Sequence, residues 1–254
     1  MMLTEKNYFS RRANKEYMSA SQFKAFKKCE AAALAMVRGR YDIDITTPML
    51  VGSYVDAYFT GEIDLFVAQH PELFKRDGTL KSEFAHAEYI IDRIQKQKTM
   101  RSLLNGEHQK IFTGEINGVK FKVKLDSYIP GKAIVDLKVM KDFSPIYVDG
   151  EGRLPWYQAW HYDTQGAIYR EIVRQNTGET LPFILVAATK ETEPDLCAIR
   201  VNDVLLNYEL EQVKEYAPRF DAIKQGIIKP KRCEECTFCR RTKKVKLIDS
   251  EVIE

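Results

Sequence analysis

Residues 118–139, GVKFKVKLDSYIPGKAIVDLKV, constrain the fold more than any other stretch, because their pattern is met only by paired strands. Val119, Phe121, Val123 and Leu125 alternate with Lys120, Lys122, Lys124 and Asp126, the period of two expected of a strand buried on one side. Asp126 then lies on the polar face. Pro130-Gly131 is a turn signal, and Ile134-Val135 opens a returning strand that ends in Asp136-Leu137-Lys138. Residues two apart on a strand share a face, so Asp136 and Lys138 point together while Leu137 turns into an apolar layer. The pattern predicts a β-hairpin that gathers two aspartates and a lysine.

Two carboxylates from neighbouring strands can hold a hard divalent cation such as magnesium, which takes oxygen ligands and keeps several waters. An adjacent lysine can orient or deprotonate a water, or stabilise charge developing on a phosphate. The alternative is an exposed hairpin with solvated charges. Glu115, on a strand predicted over 111–117, is a further candidate carboxylate ranked below Asp126 and Asp136. Asn117-Gly118 joins that strand to the next through a strong hairpin signal.

The spacing of Asp126 from the IVDLK segment (Asp136, Lys138) resembles the PD-(D/E)XK nuclease superfamily, and more closely its RecB, RecE and lambda exonuclease group. Gln165-Gly166-Ala167-Ile168-Tyr169 matches, in the right order, the Q-x-x-x-Y helix that the group commonly adds. Gly52-Ser53-Tyr54-Val55-Asp56 corresponds to its G-x-x-x-H motif, with an Asp where the group carries histidine. The resemblance implies that Asp126 and Asp136 bind magnesium or manganese; Asp56, at the histidine's place, and Glu115, from its place on its strand, are further candidate ligands. It also implies that Lys138 activates water and that Gln165 positions the substrate strand beside Tyr169. It implies an α/β fold with a restriction-endonuclease-like core, a central mixed β-sheet flanked by helices.

The rest of the chain reads as one domain over 19–254 preceded by an irregular arm over 1–18. At 254 residues, 44% hydrophobic and 30% charged, it can bury a substantial core. A net charge of only +3 means that any basic footprint is local, at Lys120, Lys122 and Lys124 or in the run from Lys229 to Lys244. Ser19 and Gln22 form a capping box at the start of a helix carrying Phe23, Phe26, Ala33, Leu34 and Val37 on one stripe. Further helices are predicted over 46–59, 82–104, 156–176 and 204–223, with an irregular connection over 145–155. The run Phe183–Ala188 reads as a strand buried on both faces, followed by an amphipathic strand at Cys197. His70, His86 and His108 lack ligand spacing. No apolar run approaches the roughly 20 residues needed to span a bilayer. The polar N-terminus lacks a signal-peptide core, so a cytoplasmic protein is expected.

Cys233, Cys236 and Cys239, at two-residue gaps, signal thiolate ligation, and Cys29 is the candidate fourth ligand unless it is simply a small buried residue of its helix. Some RecB-like nucleases, which this arrangement resembles, bind a 4Fe-4S cluster with one early and three late cysteines. Zinc and reduced, metal-free thiols stand as alternatives.

The resemblance points to a metal-dependent deoxyribonuclease of the phage recombination type, an exonuclease acting on DNA. A single-strand annealing recombinase and a homo-oligomeric assembly are the further partners it implies. The rival reading is a non-catalytic nucleic-acid-binding protein whose cysteine cluster and basic tail form a zinc-ribbon-like module.

Overall fold

A computed structural model describes residues 2–245 and 247, and the remaining end of the expected 19–254 domain lies outside the described residues. The lead-in is not irregular. It forms α1 (Glu5–Tyr8) and α2 (Arg11–Glu16), the second capped by Ser10, whose hydroxyl accepts the Ala13 N–H. Tyr8, Ala13, Tyr17 and Met18 are buried, anchors too widely spaced to show a period in sequence.

Ser19 caps the next helix through Gln22 N–H as predicted, but that helix does not run through to Val37. It breaks at Cys29, whose backbone is extended (φ −162°, ψ 108°), into α3 (Ala20–Lys28) and α4 (Glu30–Val37). No Gly or Pro marks this elbow, and the apolar stripe continues on both sides of it. The helix predicted from 46 is α5 (Thr47–Thr60), with Pro48 in its first turn and Gly61 in the left-handed conformation at its end. After α6 (Ile63–Gln69), the expected long helix is two, α7 (Ser82–Lys96) and α8 (Lys98–Leu103), separated by Gln97 in an extended conformation.

β1 (Lys110–Ile116) and β2 (Val119–Leu125) form an antiparallel hairpin at Asn117-Gly118, both at positive φ as a two-residue primed turn requires. The returning strand corrects the expected pairing. β3 (Ser127–Ile129) pairs with β4 (Ala133–Met140), with Ser127 opposite Val135, so β2 and β4 belong to different sheets. The switch falls at Asp126, whose Oδ2 accepts the Leu137 N–H at 2.9 Å, where a ladder carbonyl would otherwise stand.

The connection over 145–155 is also more ordered than predicted, folding as β5 (Ile146–Val148) and β6 (Gly152–Leu154). The expected helix from Trp156 is split at Trp160-His161 into α9 (Trp156–Ala159) and α10 (Tyr162–Thr177), with His161 at φ 53°. β7 (Phe183–Thr189), β8 (Leu196–Arg200), α11 (Asp203–Lys224) and α12 (Thr237–Arg241) complete the chain.

The central sheet has the order β3-β4-β7-β8, parallel between β4 and β7 and antiparallel elsewhere. Alternation in its two middle strands divides the core. Ile134, Phe183, Leu185 and Ala187 pack with Phe23, Phe26, Ile168, Ile172 and Phe220 of α3, α10 and α11. Val135, Leu137, Val186 and Ala188 pack with Val55, Ile90 and Ile94 of α5 and α7. The fold is therefore α/β, a central mixed sheet flanked by helices. Among the described residues no helix is long and apolar enough to cross a membrane.

Candidate active site

β4 places Asp136 and Lys138 on the sheet face that carries Ile134, with Leu137 turned into the opposite apolar layer as the alternation predicts. Asp136 is 1% exposed. Its Oδ1 accepts the Gln165 Nε2–H at 2.7 Å, which brings the Q-x-x-x-Y helix, α10, directly onto the D-x-K strand. Its Oδ2 forms an ion pair with the Lys138 ammonium. α10 approaches this closely because Gly166 has no side chain: a Cβ there would stand 2.3 Å from the Phe183 ring.

Asp126 and Asp56 complete an acidic cluster. Burial first, and then the charges of Asp136 and Asp56, push the Asp126 carboxyl well above the usual range, against the pull of Lys138 and the Leu137 N–H. Burial likewise raises Asp56 to about 6, with Lys138 opposing and Asp136 adding to it. Asp56 Oδ1 is buried without a hydrogen-bond partner. Burial alone would lower the Lys138 ammonium, but Asp136 and Asp126 outweigh it and hold the group above its ordinary range. Three carboxylates thus face one lysine, and Asp56 Oδ1 is left buried without a partner, a costly arrangement unless a cation completes it. Carboxylate oxygens are the donors that a hard divalent ion takes.

Gly52 leaves open space, since a Cβ there meets nothing within 4 Å; it is not a close-packing glycine. Tyr169 stacks edge-on against Phe183 at 6.2 Å between ring centres, and burial raises its hydroxyl well above the usual range, reinforced by the charge of Asp136. Glu115 is not brought to the site. It is exposed on β1 opposite Lys120, near the turn, whereas Asp126 follows the far end of β2, about 20 Å along the ladder at 3.3 Å per residue.

The lysines of β2 also depart from expectation. The alternation puts Lys122 on the polar face, yet it is only 1% exposed because the N-terminal helices cover that face. Its ammonium donates to Tyr8 O and to Asn14 Oδ1, and lies 4.4 Å from the centre of the Tyr8 ring. A cleft of about 640 Å³ runs from this contact to Asp56, Asp126, Gln165 and Tyr169. Gln109 also lines it, at φ 53° with its Oε1 buried and unpartnered, a residue that no spacing or period in the sequence singles out.

The cysteines form a second centre. Sγ atoms of Cys29, Cys233, Cys236 and Cys239 all lie within 4.8 Å of one another, with Cys29 and Cys239 at 3.6 Å and Cys233 and Cys239 at 3.9 Å. The elbow between α3 and α4 is what aims Cys29 at the late loop. Cys233 Sγ accepts the Cys236 N–H and Cys236 Sγ accepts the Cys239 N–H, and backbone amides draw the Cys233 thiol down to about 6. Beside Cys29, Glu30 accepts two hydrogen bonds from Arg219 and one from the Lys231 N–H, tying α4 to α11 and to the segment before the cysteine loop.

A mixed sheet whose D-x-K strand is hydrogen-bonded to a Gln-x-x-x-Tyr helix is the arrangement expected of a PD-(D/E)XK-like protein. The chain belongs to the family DUF3799, described as a PDDEXK-like domain of unknown function, which matches residues 19–242. It is similar over 99% of its length, and 97% of the other chain, to a crystal structure described as "Putative exonuclease" from Eubacterium rectale, at 46% identity and a TM-score of 0.94. The crystal structure of SSO0001 is 15% identical over 77% of this chain and 85% of that one, at a TM-score of 0.28, from which nothing is drawn. No curated protein matches the chain.

Proposed function

We propose that the protein is a metal-dependent deoxyribonuclease, an exonuclease of the phage recombination type that hydrolyses DNA phosphodiester bonds. The observation that carries this reading is the buried, unpartnered Asp56 Oδ1 in a cluster with Asp126, Asp136 and Lys138. Asp56, Asp126 and Asp136 would hold magnesium or manganese. When bound, such an ion supplies Lewis-acid stabilisation of the phosphate and activation of the attacking water.

The chain's own groups do the rest. Gln165 pins Asp136 through Oδ1, and the Leu137 N–H fixes Asp126 through Oδ2. Lys138 reaches Asp136 Oδ2 from two residues along the same strand face, where it can orient a water and stabilise charge developing on the phosphate. Tyr169 lines the cleft beside Gln165. The 46% identical relative described as "Putative exonuclease" supports end-dependent digestion in particular.

For the cysteine centre, zinc or a 4Fe-4S cluster is the candidate occupant. Sulfurs around one tetrahedral ion with bonds of about 2.3 Å lie about 3.8 Å apart, close to the 3.6 and 3.9 Å found between Cys239 and its neighbours. A cubane spreads its thiolates over four irons and holds them farther apart, so the spacing favours a single ion. Metal analysis of the purified protein decides between them.

End-labelled linear duplex DNA, incubated with magnesium or manganese and again with excess chelator, tests the function. Progressive loss of label only with the metal is expected, and Lys138→Ala should stop it. Cleavage that survives chelation, or binding without cleavage under every condition, would remove the assignment, the latter in favour of a nucleic-acid-binding module. The recombination reading adds a single-strand annealing recombinase as partner and a homo-oligomeric state, checked by co-purification and by mass in solution.

A further inference from the structure

A second cavity, of about 420 Å³, lies among α3, the junction of α9 with α10, and α11. Lys24 connects it to the aspartate cleft. The side chain lines the second cavity, while its ammonium stands 3.5 Å from Oε1 of Gln165, which lines the first. The same ammonium is 4.9 Å from the centre of the Tyr162 ring, and Lys138 is 5.0 Å from that centre. One aromatic ring therefore carries a cation from each cavity.

Lys24 is short of an anion. Its acceptors, Trp160 O and Gln165 Oε1, stand at 3.4 and 3.5 Å, beyond the usual range of about 2.7–3.2 Å for an N–H···O bond. Among the described residues no carboxylate lies within ion-pair distance of it, although Asp136 and Asp163 act on it from farther away. Three acids line the cavity: Asp163, which accepts the Thr164 N–H at 2.8 Å, Glu209, which accepts the Thr164 hydroxyl at 2.6 Å, and Glu151. Lys27 adds a second cation to the lining, and Tyr208 an aromatic ring that is 60% exposed. An ammonium with weak neutral partners beside an uncovered ring is the pairing that takes a phosphate and its base.

We propose that this second cavity is a subsite for an unpaired nucleotide of the DNA strand, next to the one cleaved at the aspartates, with Lys24 taking the phosphate and Tyr208 stacking the base. The proposal rests on the nuclease reading for the identity of the strand. The cavity falls in the size range of small-ligand sites, about 300–1,000 Å³, which admits a frayed end and not a duplex. Lys24 then holds the incoming strand from beside the Gln165 amide oxygen.

Anisotropy of a labelled oligothymidylate in chelator, over a series of salt concentrations, tests the subsite without cleavage. Tyr208→Ala, at an exposed side chain, should weaken binding about tenfold, the size of one lost stacking contact, and leave the salt dependence unchanged. Lys24→Gln should lower the slope of log affinity against log salt by about 0.7, one phosphate contact on a single strand, and Lys24→Arg should restore it. Wild-type affinity in Tyr208→Ala together with a wild-type salt slope in Lys24→Gln would overturn the subsite, even in a protein that cleaves normally. Should Lys24→Gln not fold, unchanged affinity in Tyr208→Ala is enough to overturn it. A wild-type protein that binds the strand through these residues yet never cleaves with magnesium or manganese would keep the subsite and defeat the nuclease reading instead.

Discussion

The aspartate centre and the cysteine centre are each assembled from distant parts of the chain, yet they are held in opposite ways. At the first, buried like charges press on one another: Asp126 and Asp56 are raised, by burial before anything else, and Asp56 Oδ1 has no hydrogen bond. At the second, backbone amides point at the sulfurs, and the neighbouring Glu30 carboxylate is fully engaged by Arg219 and Lys231. One centre keeps electrostatic tension in the folded state and the other disperses it. A site that must exchange substrate and cation needs the first arrangement, whereas a site that staples chain ends needs the second.

The sharpest division between them is Asp136→Asn. Losing one ligand charge should cost several kcal/mol of transition-state stabilisation, about a thousandfold or more in rate, measured as loss of end label. Metal content at the cysteines should stay at the wild-type level, and a variant that lost both would show that the two centres are one cooperative unit. Cys29→Ser should do the converse. Its partners lie some 200 residues away, and cross-links over such loops are worth about 4–5 kcal/mol, so the melting temperature should fall by about 10 °C while turnover of the folded fraction persists.

Divalent cation offers a smaller test. Saturating magnesium should raise the melting temperature by about 5 °C through mass action, and the rise should vanish in Asp126→Asn but not in Cys29→Ser. Smaller again is the pH dependence of the metal-free protein. Asp56 is raised from 3.8 to about 6, so between those values the unfolded chain has released a proton that the folded protein still holds. Stability due to this group therefore falls as pH rises through that window. In chelator, the wild-type melting temperature should drop a few degrees more across it than that of Asp56→Asn, and equal slopes would detach Asp56 from the centre. The least effect is expected at Cys197, half-buried on β8 opposite Ala187 and remote from the other thiols, where replacement by Ala should shift melting by no more than about 2 °C.

What sequence alone determined is local. The alternation around Asp136, the Asn117-Gly118 turn, the apolar run of β7 and the i, i+4 spacing of Gln165 and Tyr169 each report the face of a single element, and the structure keeps all of them. The cysteine spacing was equally legible, because three thiols in one short loop need no fold to bring them near. Everything that depended on two elements meeting was decided by packing. Asp126 leaves its hairpin because its carboxylate substitutes for a carbonyl at the Leu137 N–H, which moves the sheet boundary onto the residue itself. Lys122 is buried because aperiodic N-terminal helices close over it, and Glu115 is left outside because pairing register carries it to the wrong end of β1. The elbow at Cys29 carries no Gly or Pro, yet it turns a position on a helical stripe into a ligand facing the opposite end of the chain. Periodicity records which face of a strand or helix is apolar; which faces meet, and at what register, depends on the whole core.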